Sequence, residues 1–527
     1  MNFDLVESPL KPLPSNVACR SASLSVMQWQ RAMEALRAVD AVFLSLWGAD
    51  DRDHDGCFSV HAAFLLSDDV VVLQHKIADV AAPSYPSLAQ LFPAALRMER
   101  AVYDLLGISS TASSDSTEEQ PNHQSDQRGW LRHDAWPDSV FPLRREVDGT
   151  REYPLDAAPY PFVPVEGNGV HEIAVGPVHA GTIEPGHFRF SVVGEKVLRL
   201  EERLGYTHKG VAKRFESLPQ SEAHRLAARL SGDTAVAFSW AYCAALEAIT
   251  ATAVPARAIS LRALALEHER IANHLGDLGA LGNDAGFAFG LTHFSRLKED
   301  LLRANTAAFG ARYLMDYVVP GGVAADLPEA AYTLLGDEYL TLEREVAGLR
   351  SIYDEHGGLQ DRFREAGRLT PDLAVELGAI GLLGRASGIA HDLRVDHPWP
   401  PYDMLYTQLV TENSGDVAAR VRVRFDEIFE SLRLCQTLLE ELPSGAIQTA
   451  VPVAEPNRFA VGLIEGWRGP VLIALETGAN GSIRRCHAHD PSWQNWPLLE
   501  YAILGNIVPD FPLINKSFNL SYSGQDG

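Results

Sequence analysis

Cysteine is scarce in this chain. Its 527 residues hold five, Cys19, Cys57, Cys243, Cys435 and Cys486, and no two stand at Cys-x-x-Cys spacing. So few in so long a chain argues against a disulfide framework; buried or free thiols in a reducing compartment are expected. Positive charge is also short. Lys and Arg number 45 against 69 Asp and Glu, a net charge of −24, which argues against unaided binding to nucleic acid or an anionic membrane. No Gly-x-Gly-x-x-Gly follows a strand and no Gly-Lys-Ser/Thr phosphate loop occurs, so the chain is not expected to bind NAD. The most apolar run, Thr234–Pro255, approaches the ~20 residues of a membrane span. It contains Glu247 and many small polar residues, and reads instead as a buried helix of a large core. Membrane contact is therefore expected through partner subunits. The N-terminal stretch lacks a basic start followed by an apolar run, so no signal peptide is expected.

What is present is ordinary globular material: 46% hydrophobic and 22% charged residues, enough apolar mass for a sizeable core. The pattern predicts an α+β chain. A helix over Val26–Val39, strands over Ala41–Trp47, Phe58–Leu66 and Val70–His75, and helical spacing over Ser87–Gly107 make a small α/β unit. Residues 109–128 are polar and low in complexity, an expected mobile insertion. Residues 148–168 carry Pro154, Pro159, Pro161 and Pro164 and read as a linker. From His171 strands separated by Gly/Pro turns are expected, then helices to about Leu442, then a strand-rich tail with a hairpin around Gly466–Pro470. The expected domains are 1–147 and 169–527, joined by 148–168. His487, His489 and Asp490 could bind a metal by composition, but they sit in a loop-like run that reads as solvated. His268 and His274 are spaced unlike a zinc-protease pair and read as packing histidines.

Two resemblances are carried by motifs. Met98-Glu99-Arg100-Ala101-Val102-Tyr103-Asp104-Leu105-Leu106-Gly107-Ile108, followed by Trp136-Pro137 and Pro142-Leu143-Arg144, resembles the signature of the small hydrophilic peripheral-arm subunit of complex I. Ala101 stands where that signature has glutamate; Glu99, Arg100 and Asp104 are expected to serve packing and docking. The second covers His171 to the C-terminus. Gly176-Pro177-Val178-His179, Glu184-Pro185-Gly186-His187, His208-Lys209-Gly210, Glu267-His268-Glu269-Arg270 with His274, Pro320-Gly321-Gly322, Asp392-Leu393-Arg394 and Glu465-Gly466-Trp467-Arg468-Gly469 follow in family order. This part resembles the large subunit of energy-converting nickel–iron hydrogenases and of complex I.

That resemblance implies a large, mainly helical domain with a strand hairpin at its entry. It also exposes a loss. Where the hydrogenases place four nickel-binding cysteines, this chain has Ser231, Thr234, Ser521 and Gly524. Nickel held by thiolates needs soft, deprotonated sulfur; hydroxyls and a glycine do not supply it. In the complex I relative the emptied cavity takes a quinone, bound by a tyrosine at the position of Gly232 and a hairpin histidine whose nearest match is Pro185, with His179 and His187 close by. Glu184 matches a proton-relaying glutamate. Glu184, Arg229, His179, Arg468 and Arg485 are thus the candidate donors and relay of a nickel-free cavity. The resemblance implies a peripheral subunit on the cytoplasmic side of a membrane complex. Its partners would be a small subunit carrying an iron–sulfur cluster and antiporter-like membrane subunits, and a quinone is the candidate ligand. Two alternatives stay open: a non-catalytic scaffold joining a dehydrogenase module, such as formate dehydrogenase, to membrane subunits, and a hydrogenase with unusual ligands.

Overall fold

The structure is a computed structural model, and it describes residues 9–111, 126, 128–133, 135–148, 151–154, 159–178 and 183–527. Most of the expected insertion and His179 lie outside the described residues. The small unit is a five-stranded mixed sheet, β1 (Lys11–Pro12), β2 (Cys19–Leu24), β3 (Val42–Asp51), β4 (Cys57–Leu65) and β5 (Val70–Ile77), in the order β1-β2-β5-β4-β3. Only β2 and β5 run parallel; α1 (Val26–Ala38), started by a Ser25–Gln28 capping box, makes the connection that leads out of β2. Every residue of β4 is buried, because both faces of the sheet are covered.

The helix expected over Ser87–Gly107 is shorter. Pro93 has no N–H to donate, and Phe92 before it is held extended (φ −129°, ψ 85°), so α2 begins only at Leu96 and runs to Leu106. It ends on Gly107 in the left-handed region (φ 70°). The residues ahead form β6 (Ser84–Pro86), paired with β7 (Ser109–Thr111).

The large unit opens with β8 (Val170–Val175), β9 (His187–Val193) and β10 (Lys196–Arg203), an antiparallel sheet. Two short helices, α3 (Val211–Phe215) and α4 (His224–Ala227), lead to α5 (Ala235–Ile249). That helix is buried from Ala235 to Glu247, and among the described residues no helix is long and apolar enough to cross a membrane. The helical body follows: α6 (Ala256–Asp284), α7 (Ala288–Phe309), the hairpin β11 (Val318–Val319) and β12 (Gly322–Val323), α8 (Glu329–Glu355), α9 (Gly357–Phe363), α10 (Pro371–Leu377), α11 (Gly381–Ala386), α12 (Leu393–Asp396) and α13 (Val417–Glu440). Helix α6 packs against α7 and α13.

The tail is a three-stranded antiparallel sheet, β13 (Phe459–Glu465), β14 (Pro470–Thr477) and β15 (Ile483–His489), then α14 (Ser492–Ala502), α15 (Phe511–Phe518) and α16 (Tyr522–Asp526). Gly462 lets β13 lie directly on α5, where any Cβ would strike the Ala241 carbonyl. The expected solvated loop at His487–Asp490 is corrected: His487 and His489 belong to β15, and His489 and Asp490 are 1% exposed. The segment is polar because β15 faces the small unit. Trp47 of β3 lies flat between His61 (5.2 Å) and His487 (4.8 Å), and Ser45 Oγ is 2.8 Å from His487 Nε2. Arg484 donates to Asp51 at 3.0 Å and Asp53 at 2.7 Å, and Arg97 to Glu202 at 2.9 Å and Glu500 at 2.7 Å. The two units thus share one core.

Candidate functional site

Three chain segments converge at one point. The loop Ser231–Thr234 leads into α5, the turn Gly466–Gly469 joins β13 to β14, and Asn519–Gly524 leads into α16. The turn is tight because Gly469 (φ 143°) lies against Gly381, leaving no space for a side chain. It aims Arg468 inward. Trp467 Nε1 donates to the Asp233 carbonyl at 2.8 Å, and the Arg468 guanidinium sits 3.9 Å over the Trp467 ring.

Ser231, Thr234, Ser521 and Gly524, the positions that the resemblance sets against nickel-binding cysteines, meet one another and Arg468 through hydrogen bonds. Ser231 Oγ and Ser521 Oγ are 2.8 Å apart. Ser231 Oγ also donates to Asp233 Oδ1 at 2.7 Å. Arg468 donates to both Asp233 oxygens, at 2.8 and 2.7 Å, to Thr234 Oγ1 at 3.1 Å and to the Asn519 carbonyl at 2.6 Å. Ser521 caps α16 by accepting from the Gly524 N–H at 2.9 Å. Against the cost of burial, the Arg468 charge and the Arg468, Ser231 and Thr234 hydrogen bonds hold the Asp233 carboxyl well below the usual range. Beside Gly524, Asp490 Oδ2 has no hydrogen-bond partner, and burial raises that carboxyl. A Cβ at residue 524 would crowd it.

These residues do not fit a thiolate-bound nickel centre. Two hydroxyls bond each other, a third bonds the arginine, and glycine offers no donor atom. Asp233, which sequence reasoning missed, is what completes the set. The available signal was an acid in the unconstrained position of the loop, with an arginine expected in the same cavity.

The other candidates lie apart. Arg229 turns outward and forms a two-point ion pair with Asp316 at 2.6 and 2.8 Å. Glu184 is exposed and accepts from the Ser523 N–H at 3.0 Å. Arg485 is buried on β15, donates to the Gly48 carbonyl at 3.2 Å, and lines a cavity of about 80 Å³ that runs between the two units to Gly524. On the opposite side Gly232 and Asp233 border a groove of about 230 Å³, which also takes in Glu269, Lys298, Tyr313 and Met315. Glu269 accepts from the Val236 N–H at 2.7 Å. The peripheral-arm motif is structural: Glu99 accepts from Ser87 and the Leu88 N–H, Asp104 from the Trp130 and Leu131 N–H groups at 2.6 and 2.7 Å, and Arg100 donates to the Arg128 carbonyl.

Known proteins resemble both parts of the chain. Residues 23–153 match the family described as respiratory-chain NADH dehydrogenase, 30 Kd subunit, and residues 284–459 the respiratory-chain NADH dehydrogenase, 49 Kd subunit. Formate hydrogenlyase subunit 5 of Escherichia coli is 32% identical over 91% of this chain and 84% of its own length. Hydrogenase-4 component G of the same organism is 31% identical over 91% and 83%. An NADH-quinone oxidoreductase subunit of Bacteroides thetaiotaomicron is 28% identical over 86% and 87%. Among solved structures, a chain of the archaeal membrane-bound sulfane sulfur reductase superposes with a TM-score of 0.65 at 24% identity, covering 69% of this chain and all of that one; that likeness concerns the fold.

Proposed function

From a chain that belongs to the family of formate hydrogenlyase subunit 5 and hydrogenase-4 component G, with the 30 Kd and 49 Kd complex I units fused in one polypeptide, we propose a peripheral subunit of a membrane-associated oxidoreductase complex that works without nickel. In this reading electrons arrive from an iron–sulfur cluster on a small partner subunit, and a quinone-like two-electron acceptor is reduced beside Arg468. Membrane subunits of the antiporter-like kind anchor the assembly at the cytoplasmic face.

The observation that carries the reading is the oxygen-only centre. The Asp233–Arg468 pair and the Ser231–Ser521 hydrogen bond join the residues that the resemblance would set at the hydrogenase metal position. Arg468, already ordered by Asp233 and the Asn519 carbonyl, would present fixed positive charge to an acceptor that gains electrons. Glu184, which accepts from the first turn of α16, would carry protons from solvent toward the same place.

The test uses the purified complex. Nickel far below one atom per chain, with quinone-dependent turnover that falls in Arg468→Ala, is the expected result. Stoichiometric nickel, or no reduction of any quinone, overturns it. A second reading, a scaffold without catalysis, is favoured by the engagement of Arg229 with Asp316 and of Glu184 with α16. It predicts that Arg468→Ala and Glu184→Gln leave turnover of the assembled complex intact.

A further inference from the structure

We propose that the cavity between the two units binds a small aliphatic monocarboxylate, about the size of acetate, with Arg485 donating to its carboxylate oxygens.

A row of donors without acceptors is the first support. Arg485, His487 and His489 alternate along β15, so the two-residue period of a strand sets them on one face, and all three line the cavity. Arg485 is 7% exposed. Its Nε donates to the Gly48 carbonyl at 3.2 Å and its Nη1 to the Cys486 carbonyl at 2.8 Å, and Nη2 bonds no described residue. No carboxylate among the described residues pairs with it. The acids whose charge reaches it are engaged elsewhere: Glu216 with Arg145 at 3.3 Å and Lys213 at 3.4 Å, and Glu476 with Arg484 at 2.8 Å. Asp526, the acid in the cavity wall, already accepts from the Gly205 N–H at 2.8 Å and from the Thr207 N–H and hydroxyl at 2.8 and 2.6 Å. His489 is buried with neither ring nitrogen hydrogen-bonded; Gln494 lies beside the ring without bonding it. A buried guanidinium without a countercharge is costly, and an entering carboxylate would relieve that cost.

Size and lining set the class of ligand. The cavity holds about 80 Å³, below the ~150 Å³ that takes a benzene ring and well above the ~10–15 Å³ that one water needs. Leu46, Met98, Val102, Leu106 and Leu230 make its walls apolar, which suits a short alkyl group. Burial holds His487 and His489 well below the usual histidine range, so both are neutral and offer hydrogen bonds rather than charge. With one cation present, a doubly charged anion would keep a charge unpaired against apolar walls. Ala101 lines the same cavity at the position where the peripheral-arm signature has glutamate, so the chain supplies no tethered carboxylate there.

The experiment is isothermal titration calorimetry of the purified full-length chain at pH 7 and fixed ionic strength, with sodium acetate, benzoate and sulfate. Acetate should bind wild type at one per chain and raise its melting temperature, while benzoate and sulfate should not bind. Arg485→Met should weaken acetate about tenfold or more, the loss expected of one charged hydrogen bond. Ala101→Glu should abolish binding by placing a carboxylate in the cavity. No acetate binding to wild type, or equal binding of all three anions, overturns the proposal, and this anion series decides it even if a variant fails to fold. Unchanged acetate affinity in either folded variant overturns it as well.

Discussion

Asp233 changes what its loop can do. A carboxylate in the middle of the Ser231–Thr234 stretch meets Arg468 through two hydrogen bonds, so a position that could have faced a metal becomes half of an ion pair. Arg468 is 5% exposed in its side chain and Asp233 40%. Asp233→Ala leaves a buried guanidinium without its partner. The expected cost is about 1–3 kcal/mol, seen as a lower urea midpoint with an unchanged slope; a midpoint equal to wild type would show that water replaces the carboxylate fully. Glu269 gives a pH-dependent prediction. Burial, with the Asp233 charge, pushes its carboxyl from 4.5 up to about 8. A folded-state value above the unfolded one means that its stabilising contribution is complete below about 4.5 and drains as pH rises through about 8. Wild type should therefore lose stability relative to Glu269→Gln between about pH 5 and about pH 9. Parallel curves for the two proteins in urea titrations across that range would refute it.

Helix α6 is built around charge rather than around an apolar stripe alone. Glu267 accepts from Arg394 at 3.1 Å, Tyr402 at 2.6 Å and Ser431 at 2.6 Å. His274 reaches Glu427 at 2.7 Å, and Arg385 of α11 bridges Glu427 at 2.8 Å and Glu465 at 2.9 Å. All are buried, so each pair holds only because its partners are complete. Arg385→Ala strands two carboxylates in the core and should cost about 3–5 kcal/mol, read by denaturation or, if the protein fails to accumulate, by yield of soluble chain. The exposed pair on α7 sets the contrast: Arg303, 74% exposed, meets Glu299, and Arg303→Ala should stay within about 1 kcal/mol. Equal losses would contradict the burial argument. The motif Glu-His-Glu-Arg could be read along α6, but the distribution of its partners over α5, α7, α8, α12, α13 and β13 could not.

At the scale of the molecule, the two units are welded where β15 meets β3. Trp47 is 3% exposed and stacked between one histidine of its own sheet and one of the other unit. Trp47→Ala should cost about 3–5 kcal/mol and split one calorimetric transition into two, because it removes the ring that both units share. A single transition, shifted but not split, would mean that the Arg484 and Arg97 bridges suffice to couple them. This weld also explains why the His487–Asp490 stretch resembled a loop. His487 is turned to the second unit and Asp490 to Ser492 and Gly524, and a polar run facing protein carries the same composition as one facing water.

By itself the sequence determined the split into a small α/β unit and a larger helical one, the hairpin at Gly466–Pro470 and the absence of sulfur at Ser231, Thr234, Ser521 and Gly524. Those are properties of periodicity, turn chemistry and residue identity, all local along the chain. Only the tertiary structure decided that Asp233 neutralises Arg468, which lies 235 residues away, and that Arg229 and Glu184 are bonded elsewhere. Such pairings depend on which backbones the fold brings within hydrogen-bond reach, and no local pattern encodes that distance.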